Sequence, residues 1–239
     1  MIYTLVLRVS SSSVFLLERR RLYIFLGKAN SMMISHEPFI LILSSPSGAG
    51  KSTLSRALLK NDVNIEMSIS YTTRAKRSSE IDGKDYNFVT KEEFEKLIEA
   101  DEFLEYATVY GNLYGTPKTK VNDILKSGKD VLFDIDWQGT IQLKSMIPES
   151  IVSVFILPPS MKELEKRLRS RASESEEIIQ KRLSKSLVEI SHWGAYDHVI
   201  VNNHIEESLG FIEAIISVER LNRANLWKIA DELMNHEIK

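Results

Sequence analysis

Cysteine is absent from this 239-residue chain, and neither sign of charge dominates, since 31 basic and 33 acidic residues give a formal net charge of −2. The lack of cysteine excludes disulfides and thiolate-bound zinc, and it fits a reducing, cytoplasmic environment. The balanced charge gives no broad electrostatic basis for binding nucleic acid or a membrane surface. No stretch approaches the roughly 20 uninterrupted apolar residues of a membrane-spanning helix. The composition therefore predicts a globular protein with one large core.

Acidic residues are scarce in the first 35 positions, where Glu18 stands against five basic side chains and serines fill positions 10–13. Charges interrupt every apolar run, which argues against a secretory signal. A transit-type peptide fits the arginine and serine bias. Alternatively, the native protein starts at Met32 or Met33, and this is the interpretation that we prefer. Residues 1–35 would then be an N-terminal extension that arises from an upstream start or is disordered.

A phosphate-binding loop is the most informative feature of the chain. An apolar, strand-like run at 39–43 leads into small residues, then Gly-Lys-Ser at 50–52, and then a helical pattern over 51–60. This order places a polyphosphate at a helix N-terminus. Gly48 and Gly50 allow close backbone approach and positive φ. Lys51 would face the β- and γ-phosphates, and Ser52 would ligate Mg²⁺. The predicted ATP-binding residues are Ser45, Pro46, Ser47, Gly48, Ala49, Gly50, Lys51 and Ser52, with Ser45 standing where the usual pattern has glycine.

Strands and helices alternate after this loop. Apolar runs predict further strands at 65–71, 103–109, 131–136, 151–157 and 198–201. Helices are predicted at 90–100, at 117–126, after Ser160, and from 206 to the C-terminus, with a capping box formed by Thr90 and Glu93. Parallel-type strands joined by helices predict an α/β fold wound around the loop. The segment that begins at 70 has short strands, turns and tyrosines, and we interpret it as an insertion.

The motifs of this insertion resemble the GMP-binding region of guanylate kinases. They are SYTTRAKR at 70–77, EIDGKDYNF at 80–88, EFLE at 102–105, GNLYGT at 111–116 and DIDWQG at 134–139. Lys-Arg-Leu triplets at 166–168 and 181–183 resemble the helical lid of that family. The resemblance runs from 39 to the C-terminus and does not cover 1–35. It implies a P-loop nucleoside monophosphate kinase fold in one domain, 36–239, with its core at 36–69, 128–159 and 197–239, a GMP-binding insert at 70–127 and a lid at 160–196.

Two arginines three positions apart, Arg74 and Arg77, can present guanidinium forks to a dianionic phosphate. Tyr86 and Tyr114 can donate hydroxyls to the same oxygens. The resemblance implies that these four residues bind the GMP phosphate, with Glu80 beside them. A solvated basic turn is the alternative interpretation of the arginines. Ser78 and Ser79 replace the proline or glycine turn that is common in the family.

Guanine presents N1–H and an exocyclic amine side by side, and a carboxylate can accept both, whereas the unprotonated N1 of adenine would repel it. The resemblance places Glu105 in that role, with Ser70, Thr116 and Asp136 also contacting the base. Asp134 ends an apolar strand. It could hold Mg²⁺ through water or form a hydrogen bond in the acceptor site, and both roles remain open.

Arg167 and Arg171 lie four positions apart, on one helix face, and Arg182 follows an acidic stretch. The resemblance implies that these arginines offset charge on the transferring phosphoryl group and exclude water, which makes them catalytic together with Lys51 and Arg74. Salt bridges within a charged helix pair are the alternative. Asn202 is a candidate contact for adenine.

The sequence thus predicts a Mg²⁺-dependent guanylate kinase that converts ATP and GMP, or dGMP, into ADP and the diphosphate in purine metabolism. Only small nucleotides are expected as partners, and the protein would be a monomer or homodimer. A non-catalytic scaffold is disfavoured because Lys51, Ser52, Arg74 and Arg77 are all present. A P-loop kinase for another acceptor, such as AMP, is disfavoured by Glu105.

Overall fold

The computed structural model describes residues 15–18, 21–24, 36–78, 80–109, 111–170 and 176–224. The chain divides into two compact units, Met1–Ser35 with Ala224–Lys239, and His36–Arg223. In the first unit, strands β1 (Phe15–Glu18) and β2 (Arg21–Ile24) pair antiparallel. The rest of the predicted N-terminal extension lies outside the described residues, so our interpretation of it stays a prediction.

The second unit contains all other described elements. In chain order they are β3 (Ile40–Ser44), α1 (Lys51–Asn61), β4 (Ile65–Met67), β5 (Tyr71–Thr72), β6 (Asn87–Phe88), α2 (Lys91–Glu99), β7 (Phe103–Val109), β8 (Asn112–Pro117), α3 (Lys118–Lys126), β9 (Asp130–Asp134), α4 (Trp137–Met146), β10 (Ile151–Leu157), α5 (Met161–Ser170), α6 (Glu176–Ser191), β11 (His198–Val201) and α7 (Ile205–Asn222). Short 3₁₀ turns lie at Pro148–Ser150 and Trp193–Ala195.

A parallel sheet of five strands forms the core, in the order β11-β10-β3-β9-β4. Successive side chains of β3 point to opposite faces of this sheet. Leu41 and Leu43 pack into one apolar cluster with residues of α1 and α7. Ile40 and Ile42 pack into a second cluster with residues of α3 and α4. Both faces are covered, which explains why β3 is apolar throughout and confirms the predicted α/β fold with a parallel sheet.

The insertion forms a second sheet with the strand order β6-β5-β8-β7. Helix α2 packs against it through Phe94, whose ring stacks on Phe103 with centroids 4.6 Å apart. The predicted capping box is confirmed, because the Glu93 N–H donates to the Thr90 hydroxyl at 3.1 Å and the Thr90 N–H donates to the Glu93 carboxylate at 2.8 Å.

Three predicted boundaries were wrong. The strand predicted at 65–71 is two strands in different sheets, since the Ser68 N–H bonds to Leu132 of the core whereas the Ser70 carbonyl accepts from Asn87 of the insertion. The strand predicted at 131–136 ends two residues earlier, because Asp136 leaves it to cap α4. Helix α7, predicted to run from 206 to the C-terminus, ends at Asn222, and residues 225–239 lie outside the described residues. Among the described helices, none has the length and apolar character needed to cross a membrane.

Candidate active site

A cavity of about 520 Å³ opens at the carboxyl ends of β3 and β9, between the phosphate loop, the insertion and α6. Most residues predicted to bind nucleotides line it. They are Ser45, Pro46, Ser47, Gly48, Gly50, Lys51, Ser52, Ser70, Arg74, Arg77, Tyr86, Glu105, Tyr114, Asp134, Asp136 and Arg182. Among the described residues, the predicted site members that do not line it are Ala49, Glu80, Thr116, Arg167 and the candidate adenine contact Asn202. Arg171 lies outside the described residues.

The phosphate loop has the backbone that its glycines predicted. Gly48 has a φ of 97° and Gly50 a φ of 104°, in the left-handed region that other residues rarely adopt. Ser45 is not in that region, since Asp101 is the one described non-glycine residue with positive φ. A serine is therefore sterically compatible with the position where the usual pattern has glycine.

Asn202, which follows β11, forms a hydrogen bond with the backbone of the phosphate loop. This buried side chain donates to the Ala49 carbonyl at 2.7 Å and accepts from the Ser208 hydroxyl at 3.1 Å. A Cβ on Gly50 would lie 2.3 Å from the Asn202 amide nitrogen. Both polar atoms of Asn202 thus bond within the protein, and this contact with the loop was not predicted. The predicted contact of Asn202 with adenine stays a prediction.

Lys51 contacts the Asp134 carboxylate across the cavity floor. The parallel register of β3 and β9 pairs Leu43 with Asp134, which brings the acid beside the loop. Burial lowers the pKa of Lys51 to about 8, although the nearby carboxylates of Asp136 and Glu189 act to raise it. The sequence left the role of Asp134 open between two alternatives, and neither of them included this ion pair.

On the insertion, Arg74 is held by Glu80. The guanidinium donates to both carboxylate oxygens, at 3.0 and 2.7 Å, and lies 5.4 Å from the ring centroid of Tyr86. The same carboxylate accepts the Arg77 N–H at 2.8 Å. The Glu80 N–H also donates to the Arg77 carbonyl at 3.1 Å. Glu80, predicted to bind GMP, thus orients the side chain of Arg74, which lines the cavity.

Glu105 contributes a buried carboxylate to the lining of the cavity. Its side chain is 5% exposed, and one oxygen accepts the Thr116 hydroxyl at 2.6 Å. Burial raises the pKa of Glu105 to about 7, with the Thr116 bond lowering it and the Asp136 charge raising it. Thr116, predicted to contact the base, stands behind Glu105 and fixes its orientation.

Asp136 caps helix α4. Its carboxylate accepts the N–H groups of Gln138 and Gly139, both at 3.1 Å. The residue also lines the cavity, and its predicted contact with the base stays a prediction. Its capping role was not predicted.

Helix α6 contributes four residues to the cavity lining, which are Ile178, Lys181, Arg182 and Glu189. The Glu189 carboxylate accepts the Ser47 N–H of the phosphate loop at 3.3 Å. Neither Ile178 nor Glu189 was predicted, because they belong to an ordinary charged helical pattern and only tertiary placement gives them a site.

Arg167 on α5 is directed away from this cavity. It bonds to Glu163 at 3.0 Å and, at 3.5 and 3.3 Å, to the carbonyls of Ala49 and Asn202. With Asn202 it lines a second cavity, of about 320 Å³, on the outer side of the loop. The structure therefore does not bring Arg167 together with Arg182.

Comparison with known proteins agrees with this geometry. The family model described as guanylate kinase matches residues 37–219. The chain belongs to the guanylate kinase family. It is 54% identical over 190 residues to a guanylate kinase of Paramagnetospirillum magneticum, covering 80% of this chain and 89% of that protein. It is 51% identical over 192 residues to one from Novosphingobium aromaticivorans, covering 80% and 87%.

A solved guanylate kinase structure is also similar. The crystal structure of guanylate kinase from Anaplasma phagocytophilum shares 42% sequence identity with a TM-score of 0.67, covering 79% of this chain and 89% of that one. The guanylate kinase family and its α/β fold, both predicted from the motifs of the insertion, are therefore confirmed.

Proposed function

We propose that the chain is a guanylate kinase enzyme that transfers the γ-phosphoryl group of ATP to GMP, giving ADP and GDP. The observation that supports this most directly is a single cavity lined at once by a phosphate loop, two arginines with two tyrosines, and a buried carboxylate. Phosphoryl transfer requires two nucleotides in line, compensated charge and little water, and the cavity offers groups for each need.

The phosphate loop is the donor side of the proposal. Its inward N–H groups and the N-terminus of α1 would bind the ATP phosphates. Lys51 would exchange its Asp134 partner for the β- and γ-phosphates, which leaves the Asp134 carboxylate available inside the cavity.

Magnesium belongs to the same proposal. Among the described residues, no group of three or more histidine, aspartate or glutamate side chains could hold a metal ion. The oxygen groups of Ser52 and Asp134 both line the cavity and suit Mg²⁺, which Ser52 would bind directly and Asp134 through water. The ion would supply charge compensation to the phosphates.

The insertion is the acceptor side. Arg74 and Arg77 would bind the GMP phosphate with the hydroxyls of Tyr86 and Tyr114. Glu105 would accept the N1–H and amine of guanine. None of these assigned contacts uses the ribose 2′-hydroxyl, so dGMP should also be accepted.

The lid arginines complete the proposal. Arg182 lines the cavity and would compensate charge on the transferring group, whereas Arg167 would act through its contact with the loop carbonyl of Ala49. A role for Arg171 stays a prediction, as do the cytoplasmic location, the place in purine metabolism and the choice between monomer and homodimer.

One experiment tests this proposal against its alternatives. ADP production is measured with GMP, dGMP, AMP and UMP as acceptors, for the wild-type chain and for Lys51→Ala. The proposal expects turnover with GMP and dGMP, much less with AMP and UMP, and none for the variant. A scaffold protein would show no wild-type turnover to lose, and a kinase for another acceptor would prefer AMP or UMP.

A further inference from the structure

Gly139 lies in the first turn of α4, next to the carboxylate that we assign to guanine. Its φ is not among the positive values that the structure contains, so the backbone at this position does not require glycine. Inside a helix, every other residue except proline is intrinsically more favourable than glycine. The absence of a side chain at position 139 therefore needs a reason outside the helix.

The space around Gly139 supplies that reason. A Cβ built on this residue would lie 2.4 Å from Oε2 and 2.9 Å from Cδ of Glu105, and 3.3 Å from Cδ1 of Ile135. The first two separations are shorter than any real contact of a Cβ atom. The backbone of α4 thus forms one wall of the recess that the Glu105 carboxylate occupies.

The second wall is the neighbouring strand. Glu105 on β7 is paired with Thr116 on β8, whose hydroxyl donates to Oε1 at 2.6 Å. One oxygen is therefore fixed by Thr116 while the other rests against Gly139. A methyl group at 139 could be accommodated only by displacing the carboxylate, because the helix beneath it is fixed by its Asp136 cap.

We propose that Gly139 is a specificity-determining position: by lacking a side chain it forms the recess for the Glu105 carboxylate, and so sets the position from which that carboxylate contacts guanine. This inference rests on the proposed function, because it assumes that Glu105 binds the base.

A displaced carboxylate has a selective effect. Guanine offers two adjacent donors to the two carboxylate oxygens, and the strength of these two hydrogen bonds depends strongly on distance and direction. Adenine has no pair of this kind to lose, and the atoms nearest to a Cβ at 139 belong to Glu105 and Ile135, not to the phosphate loop. Gly139 should therefore affect catalytic efficiency with GMP but hardly with AMP, and leave the KM for ATP unchanged.

The test compares Gly139→Ala with Gly210→Ala, a matched control. Gly210 is also helical, in α7, and a Cβ there would meet nothing within 4 Å. We expect Gly139→Ala to lower kcat/KM for GMP at least about tenfold and to change kcat/KM for AMP less than about twofold. Gly210→Ala should leave both unchanged. An unchanged GMP-to-AMP ratio in Gly139→Ala overturns the inference.

A double-mutant cycle separates this inference from the proposed function. In a Glu105→Ala background, Gly139→Ala should have no further effect on GMP, since the group it displaces is gone. If the loss persists there, Gly139 acts through α4 and the inference is wrong. If Glu105→Ala itself leaves the GMP-to-AMP ratio unchanged, the assignment of Glu105 to the base fails first.

A second pair of variants covers the case in which Gly139→Ala does not fold. Aspartate at 105 is one methylene shorter and withdraws from the α4 wall. Glu105→Asp with Gly139→Ala should therefore fold, with a melting temperature and GMP KM close to those of Glu105→Asp alone. A large further rise in KM in the double variant contradicts the proposed recess.

Discussion

The pH dependence of guanine selectivity follows from the burial of Glu105. Because burial raises the pKa of this carboxyl to about 7, the acid is partly protonated near neutrality before guanine binds. A shift from 4.5 to about 7 corresponds to roughly 3 kcal/mol against the charged form. The two donors of guanine would offset this penalty, since they hydrogen-bond only to the ionised carboxylate at both oxygens.

The direction of the effect is fixed by the sign of that shift. A carboxyl with a raised pKa is protonated below that value, so the guanine-binding form is lost as the pH falls through about 7. The ionised fraction falls from roughly nine tenths at pH 8 to roughly one tenth at pH 6. We therefore expect kcat/KM for GMP, relative to that for AMP, to fall about tenfold over this interval.

The ratio to AMP isolates Glu105. Since kcat/KM reports ionisations of free enzyme and free substrate, the phosphate of GMP and the side chain of Lys51 also contribute to each profile. AMP has the same phosphate and meets the same lysine, so both contributions cancel in the ratio. The assay is steady-state ADP production with each acceptor, in buffers of constant ionic strength.

Glu105→Gln provides the control, because glutamine does not titrate and presents an NH₂ donor to guanine's donors. Its GMP-to-AMP ratio should be low and independent of pH, with a loss of roughly 2–4 kcal/mol in GMP binding from about 1–3 kcal/mol per unsatisfied group. A wild-type ratio that does not vary with pH, or one that varies equally in the variant, would refute this reasoning.

Three further changes test the rest of the site. Arg74→Ala should raise the KM for GMP far more than that for ATP, because a buried phosphate that loses a bidentate partner loses roughly 2–5 kcal/mol; a selective loss for ATP would contradict the assignment. Lys51→Ala should abolish transfer while calorimetry still detects GMP binding, and lost GMP binding would place Lys51 in the acceptor site. A chain that starts at Met33 should keep the melting temperature and turnover of the full chain, since the core sheet begins at Ile40; a large loss in either would make residues before Met33 structural.

Two parts of the fold, the phosphate loop and the start of α2, could be predicted from the local sequence. The phosphate loop follows from its glycines, whose φ values are positive, and the start of α2 follows from Thr90 and Glu93. The change of sheet between Ser68 and Ser70 could not be predicted in this way, because it depends on which strands pair with each side of that segment. The hydrophobic pattern of a strand indicates which of its faces is buried, but it does not indicate which strand pairs with it.

The candidate site was predictable in its residue types but not in their contacts. The family resemblance brought Arg74, Glu80, Glu105 and Thr116 into one GMP-binding region, the first two at the phosphate and the last two at the base. The structure separates them, because Glu80 and Thr116 bond to the other two and do not line the cavity. Two residues of a motif can lie within 3 Å of each other while only one faces the ligand, and spacing alone cannot distinguish them.

This division of roles has a physical consequence for the binding of GMP. Arg74 is already paired with Glu80, and Glu105 already accepts from Thr116, so the groups that would meet GMP are oriented before it binds. Orientation in advance reduces the side-chain entropy that binding must overcome. The supporting residues, among which we include Gly139, therefore determine selectivity through the position of a neighbour, and their substitution should alter acceptor preference without removing any group that contacts the substrate.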